Sequence, residues 1–73
     1  MRIEYDREVD SLYIRIQEKE VSRTREIEDG LNLDIDEHGK VIGLEIIAAA
    51  ERYELKDIFN ISTENLILDA AVG

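Results

Sequence analysis

The sequence predicts an α+β fold: a small antiparallel sheet of about four strands in two hairpins, with a C-terminal helix packed on one face. Apolar and polar residues alternate with period two through most of residues 1–47, glycines mark turns between these segments, and the alternation stops at residue 48. A sheet with one apolar face needs a cover, and a helix is the usual solution. We therefore expect one domain over residues 1–73, with the sheet in residues 1–47 and a helical cover in residues 48–73.

Residues 1–17 predict the first hairpin. Apolar and charged side chains alternate on both sides of a polar connection at residues 7–10, which indicates two strands joined by a turn. The predicted cross-strand pairs are Asp6–Ser11, Tyr5–Leu12, Ile3–Ile14 and Met1–Ile16. This register is favoured because it places all of these apolar side chains on one side of the sheet.

Residues 31–47 predict the second hairpin, with its turn at residues 37–40, where Gly39 supplies a positive φ angle. The predicted apolar pairs are Ile35–Ile42, Leu33–Leu44 and Leu31–Ile46. Between the hairpins, residues 18–30 are mostly charged and predict a turn followed by a short exposed strand around residues 24–28. Alternating Glu and Arg there are typical of an edge strand that discourages pairing with other molecules.

The remaining residues change period. Residues 48–58 contain good helix formers and none of the strand alternation, so they predict a helix. Residues 62–65 fit the cap of a second short helix over residues 66–71. Because residues 66–68 fit a strand equally well, the structure of residues 59–73 stays open.

Length and charge limit the function. A chain of 73 residues buries only about 60% of its unfolded surface, and it has no cysteine with which to form a disulfide or a thiolate site. Eighteen Asp and Glu residues against nine Lys and Arg give a net charge of −9. This charge repels nucleic acid and anionic membranes and attracts a basic protein partner. The charged N-terminus is unlike a signal peptide, and no apolar run is long enough to span a bilayer, so a cytoplasmic protein is expected.

One acidic stretch resembles a calcium-binding loop. Asp34, Asp36, Gly39 and Glu45 match key positions of the EF-hand pattern D-x-[DN]-x-[DN]-G-x5-E, but His38 stands where a hard cation prefers oxygen. An EF-hand also needs a helix on each side, whereas both flanks alternate like strands. We therefore predict no calcium site and no metal cofactor here.

The other candidate catalytic groups are also weak. Asp6, Glu8 and Asp10 could hold a divalent ion or act as paired acid and base, but aspartates in such turns usually bond to the backbone. The single histidine, His38, would have to serve Ser11, Ser22 or Ser62 from an exposed turn. The four glycines, Gly30, Gly39, Gly43 and Gly73, match no phosphate-binding loop, and Gly43 inside a strand predicts a bulge or close packing. We predict no catalytic residue and no cofactor.

Three apolar residues fall on the face of the sheet that the alternation assigns to solvent: Tyr13, Val41 and Ile47. Several such residues on one face predict an interface. Since the chain is short and has no disulfide, a homodimer or larger assembly through this face would supplement its core.

Several motifs resemble a known family. They are Tyr5-Asp6, then Asp10-Ser11-Leu12-Tyr13-Ile14, and later Leu33-Asp34-Ile35-Asp36 with Gly39-Lys40-Val41-Ile42-Gly43-Leu44-Glu45-Ile46. Over about residues 1–50, the pattern is similar to the family catalogued as domain of unknown function 2283. The resemblance implies a small bacterial or archaeal protein without established activity, and it brings no catalytic residues. Some members lie beside small toxin-like genes, which implies an antitoxin or accessory role.

These observations predict a non-enzymatic protein-binding or self-assembly module. Its partner would be a second copy of the chain or a basic protein, as in an antitoxin-like role, and not nucleic acid or a membrane. The alternative in a different class is a metal-dependent hydrolase that uses the acidic turn residues. The shortage of His and Cys ligands favours the first interpretation.

Overall fold

The computed structural model describes residues 1–62, which form a five-stranded antiparallel sheet followed by two short helices. The elements are β1 (Arg2–Asp6), β2 (Ser11–Arg15), β3 (Arg23–Glu28), β4 (Leu31–Ile35), β5 (Val41–Ile47), α1 (Ala49–Arg52) and α2 (Leu55–Ile58). The strand order is β1-β2-β5-β4-β3, so β5, the last strand within residues 1–62, lies at the centre of the sheet. The α+β class is confirmed.

The sheet has five strands where about four were expected, because the charged segment β3 is a full edge strand. All six of its residues are exposed, and it pairs with β4 from Arg23–Ile35 to Glu28–Leu31, with one register shift between Glu26 and Glu28. An edge strand needs only one neighbour, so its alternating charges remain in water on both faces.

Both predicted hairpins form. In the first, the pairs Asp6–Ser11, Tyr5–Leu12 and Ile3–Ile14 are confirmed, while Met1 precedes β1 and is 85% exposed. In the second, Leu33–Leu44 and Leu31–Ile46 are confirmed. Ile35 pairs with Val41 and not with Ile42, because a register shift after Asp34 leaves Ile42 as the extra residue of a bulge. Ile42 is fully buried there.

The apolar face of the sheet carries two rows of paired side chains. The first row is Tyr5, Leu12, Ile46 and Leu31, and the second, called the half-buried row below, is Ile3, Ile14, Leu44 and Leu33. Leu12 and Ile46 are buried with Ala49 at the start of α1, and Ile58 of α2 packs against this cluster. Leu12 and Ile46, in the middle of the first row, are therefore the covered positions, while Tyr5, Leu31 and all four residues of the second row are half-buried.

The single helix expected over residues 48–58 is replaced by two helices of four residues each. The first ends at the extended residue Tyr53, next to Arg52, whose guanidinium donates to the Asp29 carbonyl at 2.6 Å and to the Glu28 carboxylate at 3.0 Å. After this anchor the chain turns back, and the Phe59 ring meets the Tyr5 ring edge-to-face at a centroid distance of 5.7 Å. Tertiary contacts therefore override helix propensity, which is weak in so short a segment. The alternatives for residues 66–71 lie outside the described residues.

Candidate functional site

The face of the sheet opposite the apolar rows, called the polar face below, holds a connected group of hydrogen-bonded side chains. The Tyr13 hydroxyl on β2 donates to one carboxylate oxygen of Asp34 on β4, and Thr24 on β3 donates to the other at 2.6 Å. Because β5 separates β2 from β4, the Tyr13 ring spans the central strand to reach Asp34. Three strands are thereby joined through one carboxylate.

Gly43 is the position on β5 that the Tyr13 ring crosses. A Cβ atom at Gly43 would overlap the Tyr13 hydroxyl and lie 2.7 Å from the adjoining ring carbon. The crossing therefore requires a residue without a side chain, and the ring fills the space that the missing side chain leaves. The sequence predicted a bulge or close packing at Gly43. The Tyr13 ring packs closely against it, and the register shift in the β4–β5 pairing lies next to it.

The environment of Tyr13 stabilises its protonated form. Burial, followed by the hydrogen bond to Asp34, raises the pKa of Tyr13 from 10.0 to about 12. On the ring, the Arg15 guanidinium carbon lies 5.0 Å from the centroid, a cation–π contact. Tyr13 is thus a fixed hydrogen-bond donor at neutral pH, not an acid that exchanges its proton.

Glu45 forms a second group on the polar face. Its carboxylate accepts from Asn32 on β4 at 3.2 Å and from Ser11 on β2 at 3.4 Å. Both donors flank β5, so Glu45 joins the central strand to its two neighbours. Like Asp34, it lies in the middle of the sheet with its oxygens committed to side chains of the same chain.

Asp10 connects the β1–β2 turn to the first helix. It adopts the left-handed conformation, with φ of 52°. Its carboxylate accepts from the Tyr5 hydroxyl at 2.6 Å and from the Ala50 amide at 3.0 and 3.1 Å, while its carbonyl accepts from the Ala49 amide at 3.0 Å. The bond to Asp10 is the first cause of the raised pKa of Tyr5, and burial is the second. Asp10 therefore caps α1 from outside the helix.

Asp36 organises the β4–β5 turn. One carboxylate oxygen accepts from the amides of His38 and Lys40, each at 2.9 Å. These amide bonds, that of Lys40 first, hold the pKa of Asp36 below its usual value against the opposing effect of burial. The other oxygen lies 3.8 Å from the Lys19 ammonium. Asp36 is buried, although the alternation of Leu33 and Ile35 with Asp34 and Asp36 in the sequence would place it on the solvent-facing side of the hairpin.

The carboxylates considered for calcium binding do not converge. Asp34 bonds to side chains of β2 and β3, Asp36 bonds to its own turn, and Glu45 bonds to Asn32 and Ser11. Within residues 1–62, no three His, Cys, Asp or Glu side chains are placed to hold a metal ion. The loop matches the calcium pattern in sequence, but it folds as a hairpin.

The other candidate catalytic residues have separate positions. Asp6 accepts from the Glu8 amide at 2.9 Å, which is the backbone bond expected of a turn aspartate. His38 is exposed, and its Nε2 lies 3.4 Å from a carboxylate oxygen of Glu37. No hydrogen bond joins His38 to a serine among the residues described.

The three candidate interface residues do not form one patch. Tyr13 lies on the polar face with its hydroxyl bound to Asp34. Ile47, which is 44% exposed, pairs with Ser11 at the other end of β2. Val41 is 41% exposed and pairs with Ile35, a residue of the apolar face. The bulge at Ile42 changes the side on which Val41 lies, and strand alternation could not predict this.

Comparison with known proteins decides the family. A family model described as "Protein of unknown function (DUF2283)" matches residues 2–49. The chain belongs to this family. Over 73 residues it is also 34% identical to an uncharacterized protein of Methanocaldococcus jannaschii, covering 100% of this chain and 60% of that relative. No solved structure matches. Neither comparison indicates enzymatic activity.

The match to this DUF2283 family covers all five strands and ends at Ala49. The polar and glycine residues of the resembling motifs have direct structural tasks in the sheet, its turns and its junction with α1. They are Tyr5, Asp6, Asp10, Ser11, Tyr13, Asp34, Asp36, Gly39, Gly43 and Glu45. Sequence reasoning missed the Tyr13–Asp34 and Asp10–Ala50 bonds. Gly43 was the available signal for the first bond, and the sequence held no signal for the second. Among the described residues, no helix combines the length and apolar character that a membrane crossing requires.

Proposed function

We propose that this DUF2283 protein is a non-enzymatic module that binds protein, either a second copy of itself or a basic partner. One observation carries the proposal: most polar side chains of the motifs behind its family resemblance bond to one another and to the backbone. Asp36 is a partial exception, because one of its carboxylate oxygens accepts two amide bonds and the other has no hydrogen-bond partner among the described residues.

The carboxylates illustrate the argument. Asp10, Asp34 and Glu45 each accept two or more hydrogen bonds from groups of the same chain. A general base or metal ligand must offer an oxygen to the substrate or ion. Using these residues would require breaking bonds that join strands, so they support a structural role.

Charge supports an antitoxin-like form of the same proposal. The net charge of −9 favours encounter with a basic protein and opposes binding to nucleic acid. The half-buried row supports the other form, in which the partner is a second copy. Both forms use a surface and not a reaction centre.

The test is isolation of the protein at its natural abundance under native conditions, followed by intact-mass and metal analysis. We expect either a homo-oligomer or a stoichiometric complex with a basic protein, free of bound metal. A tightly held stoichiometric divalent ion would overturn the proposal. It would instead support a hydrolase that uses Asp6, Glu8 and Asp10, or Asp34, Asp36 and Glu45.

As a control, Asp10→Asn keeps an oxygen acceptor at the junction with α1 but weakens any metal site at the first turn. If metal content falls in this variant while the fold is retained, the metal is bound at that turn. If the metal content is unchanged, the group formed by Asp34, Asp36 and Glu45 is the remaining candidate for the metal site.

A further inference from the structure

We propose that a second copy of this chain packs against the half-buried row, forming a two-fold dimer through the apolar face and not through the polar face. The inference deepens the proposed function and rests on it. It names both the surface and the occupant.

The row is a continuous apolar strip across four strands. Ile3, Ile14, Leu44 and Leu33 are direct cross-strand neighbours, and each is only partly covered. Ile16, directly after the end of β2, is 47% exposed. The strip is therefore half-buried and leaves apolar surface that a partner can cover.

The sheet edges are poor alternatives for self-association. The outward-facing strand β3 reads Arg-Thr-Arg-Glu-Ile-Glu, and β1 at the other edge carries Arg2, Glu4 and Asp6. Such alternating charges on edge strands oppose pairing with another strand. Association of a second copy through the apolar face is therefore less unfavourable than strand pairing at either edge of the sheet.

Charge identifies the kind of occupant. Arg23 and Arg25 pair with Ile35 and Leu33, so they border the apolar face, and neither forms an ion pair within residues 1–62. The acidic side chains Glu4, Glu26, Asp34 and Glu45 belong to the opposite face. Glu28 also borders the apolar face, where it pairs with Leu31, but its carboxylate is bound to Arg52. The border charges that form no ion pair among the described residues are therefore basic, and the face fits a surface that is apolar and acidic.

A second copy supplies that surface. Glu51 and Asp57 on its two helices form no ion pair in the described part of the chain. The net charge of −9 on each copy opposes association, so these local contacts must outweigh that repulsion. A two-fold axis that reverses strand direction sets the helices of one copy beside the half-buried row of the other. Each copy then presents carboxylates toward the arginines of its partner, as an isologous interface requires.

The test is sedimentation equilibrium of the full chain and two charge variants at near-physiological salt. Arg25→Glu alters the border of the apolar face. Arg7→Glu makes the same charge change at the exposed β1–β2 turn, across the sheet from β3. Both residues are exposed, so neither substitution should disturb the fold. Circular dichroism and thermal unfolding serve to check that each variant folds.

We expect the parent chain to dimerise and Arg25→Glu to raise the dimer Kd by about tenfold or more, because the substitution acts twice in a two-fold interface. Arg7→Glu should change the Kd by much less. Equal weakening by both variants would overturn the proposal, because it would show that net charge and not this face controls association.

A parent chain that stays monomeric at high concentration would also overturn the proposal, and the native isolation described above then separates two outcomes. A monomer that co-purifies with a basic protein at fixed stoichiometry contradicts self-association and leaves the proposed function standing. A monomer with no partner contradicts both.

Discussion

Tyr13 joins three strands through a single side chain. Its ring crosses the central strand at Gly43, its hydroxyl donates to Asp34, and its face contacts the Arg15 guanidinium. The contribution of Tyr13 to stability is local but not small, because aromatic side chains dominate packing in small cores and a partly buried hydroxyl needs an acceptor. Side-chain hydrogen bonds therefore join the strands across the polar face, in addition to the backbone pairing.

Gly43→Ala should destabilise the protein by about 1–3 kcal/mol, because the new methyl group overlaps the Tyr13 ring. The sign is informative, since Ala in a strand interior is otherwise favoured over Gly by roughly 0.5–1 kcal/mol. Urea unfolding of Gly43→Ala, Tyr13→Ala and the double variant gives the coupling energy between the two residues. In the Tyr13→Ala background, Gly43→Ala should no longer lower the free energy of unfolding. If the effects of the two substitutions simply add, the Tyr13 ring does not cross β5 at Gly43.

Tyr13 should ionise at higher pH than an ordinary phenol. Its folded-state pKa is raised from 10.0 to about 12, so its contribution to stability is complete below pH 10 and is lost as pH rises through about 12. Spectrophotometric titration should show this high-pH phenolate step, and Tyr13→Phe should remove it. Because the pKa of Tyr5 is also raised, a high-pH step that survives in Tyr13→Phe belongs to Tyr5 and does not contradict the prediction. A titration curve that is the same in Tyr13→Phe and in the parent would contradict it.

Among the secondary-structure elements, the weakest connection is the one between the sheet and the helices. Neither α1 nor α2 has a side-chain cap of its own, and each has only four residues. Such helices do not persist alone. The Asp10 carboxylate at one end of α1 and the Arg52 contacts at the other hold it against the sheet.

Asp10→Ala should lower the free energy of unfolding by about 1–2 kcal/mol, the usual effect of removing a helix cap. Asp10→Asn is the matched control, because Asn tolerates the left-handed backbone and keeps one acceptor oxygen. Denaturant unfolding should rank the parent and Asn variants close together, with the Ala variant lower. Amide exchange at Ala50 should be faster in the Ala variant, and equal exchange in all three proteins would contradict the capping role.

The elements differed in how well the sequence predicted them. Strand pairing was accessible because each apolar residue of β1 and β2 has one partner that keeps it on the buried side, as Tyr5 and Leu12 show. The bulge was only partly accessible, because Gly43 indicated a bulge or close packing, but the alternation did not show that Ile42 is the extra residue or that Val41 pairs with Ile35. The helix break at Tyr53 depends on Arg52 reaching Asp29, which is a contact between distant residues. Likewise, the roles of Asp10 and Asp34 became visible only with their tertiary partners.

For the whole molecule, we expect that the acidic groups do not bind calcium and that calcium therefore does not stabilise the fold. A ligand specific to the native state, at one hundred times its dissociation constant, stabilises by about 2.7 kcal/mol. Millimolar calcium should therefore leave the melting temperature unchanged at constant ionic strength, with magnesium as the control for screening. A rise specific to calcium would contradict this expectation, because it would show that the folded protein binds the ion.

The central position of β5 has a consequence for biosynthesis. β1 pairs with β2 and β3 pairs with β4, but the two halves are joined only when β5 lies between β2 and β4. On a ribosome, residues 1–40 can form at most two separate hairpins, each of which is marginal in water. The sheet assembles only after residues 41–47 have left the exit tunnel, and the junction of Asp10 with Ala49 and Ala50 forms immediately behind them. A nascent chain stalled before residue 41 should thus remain sensitive to protease, and one extended past the helices should become resistant.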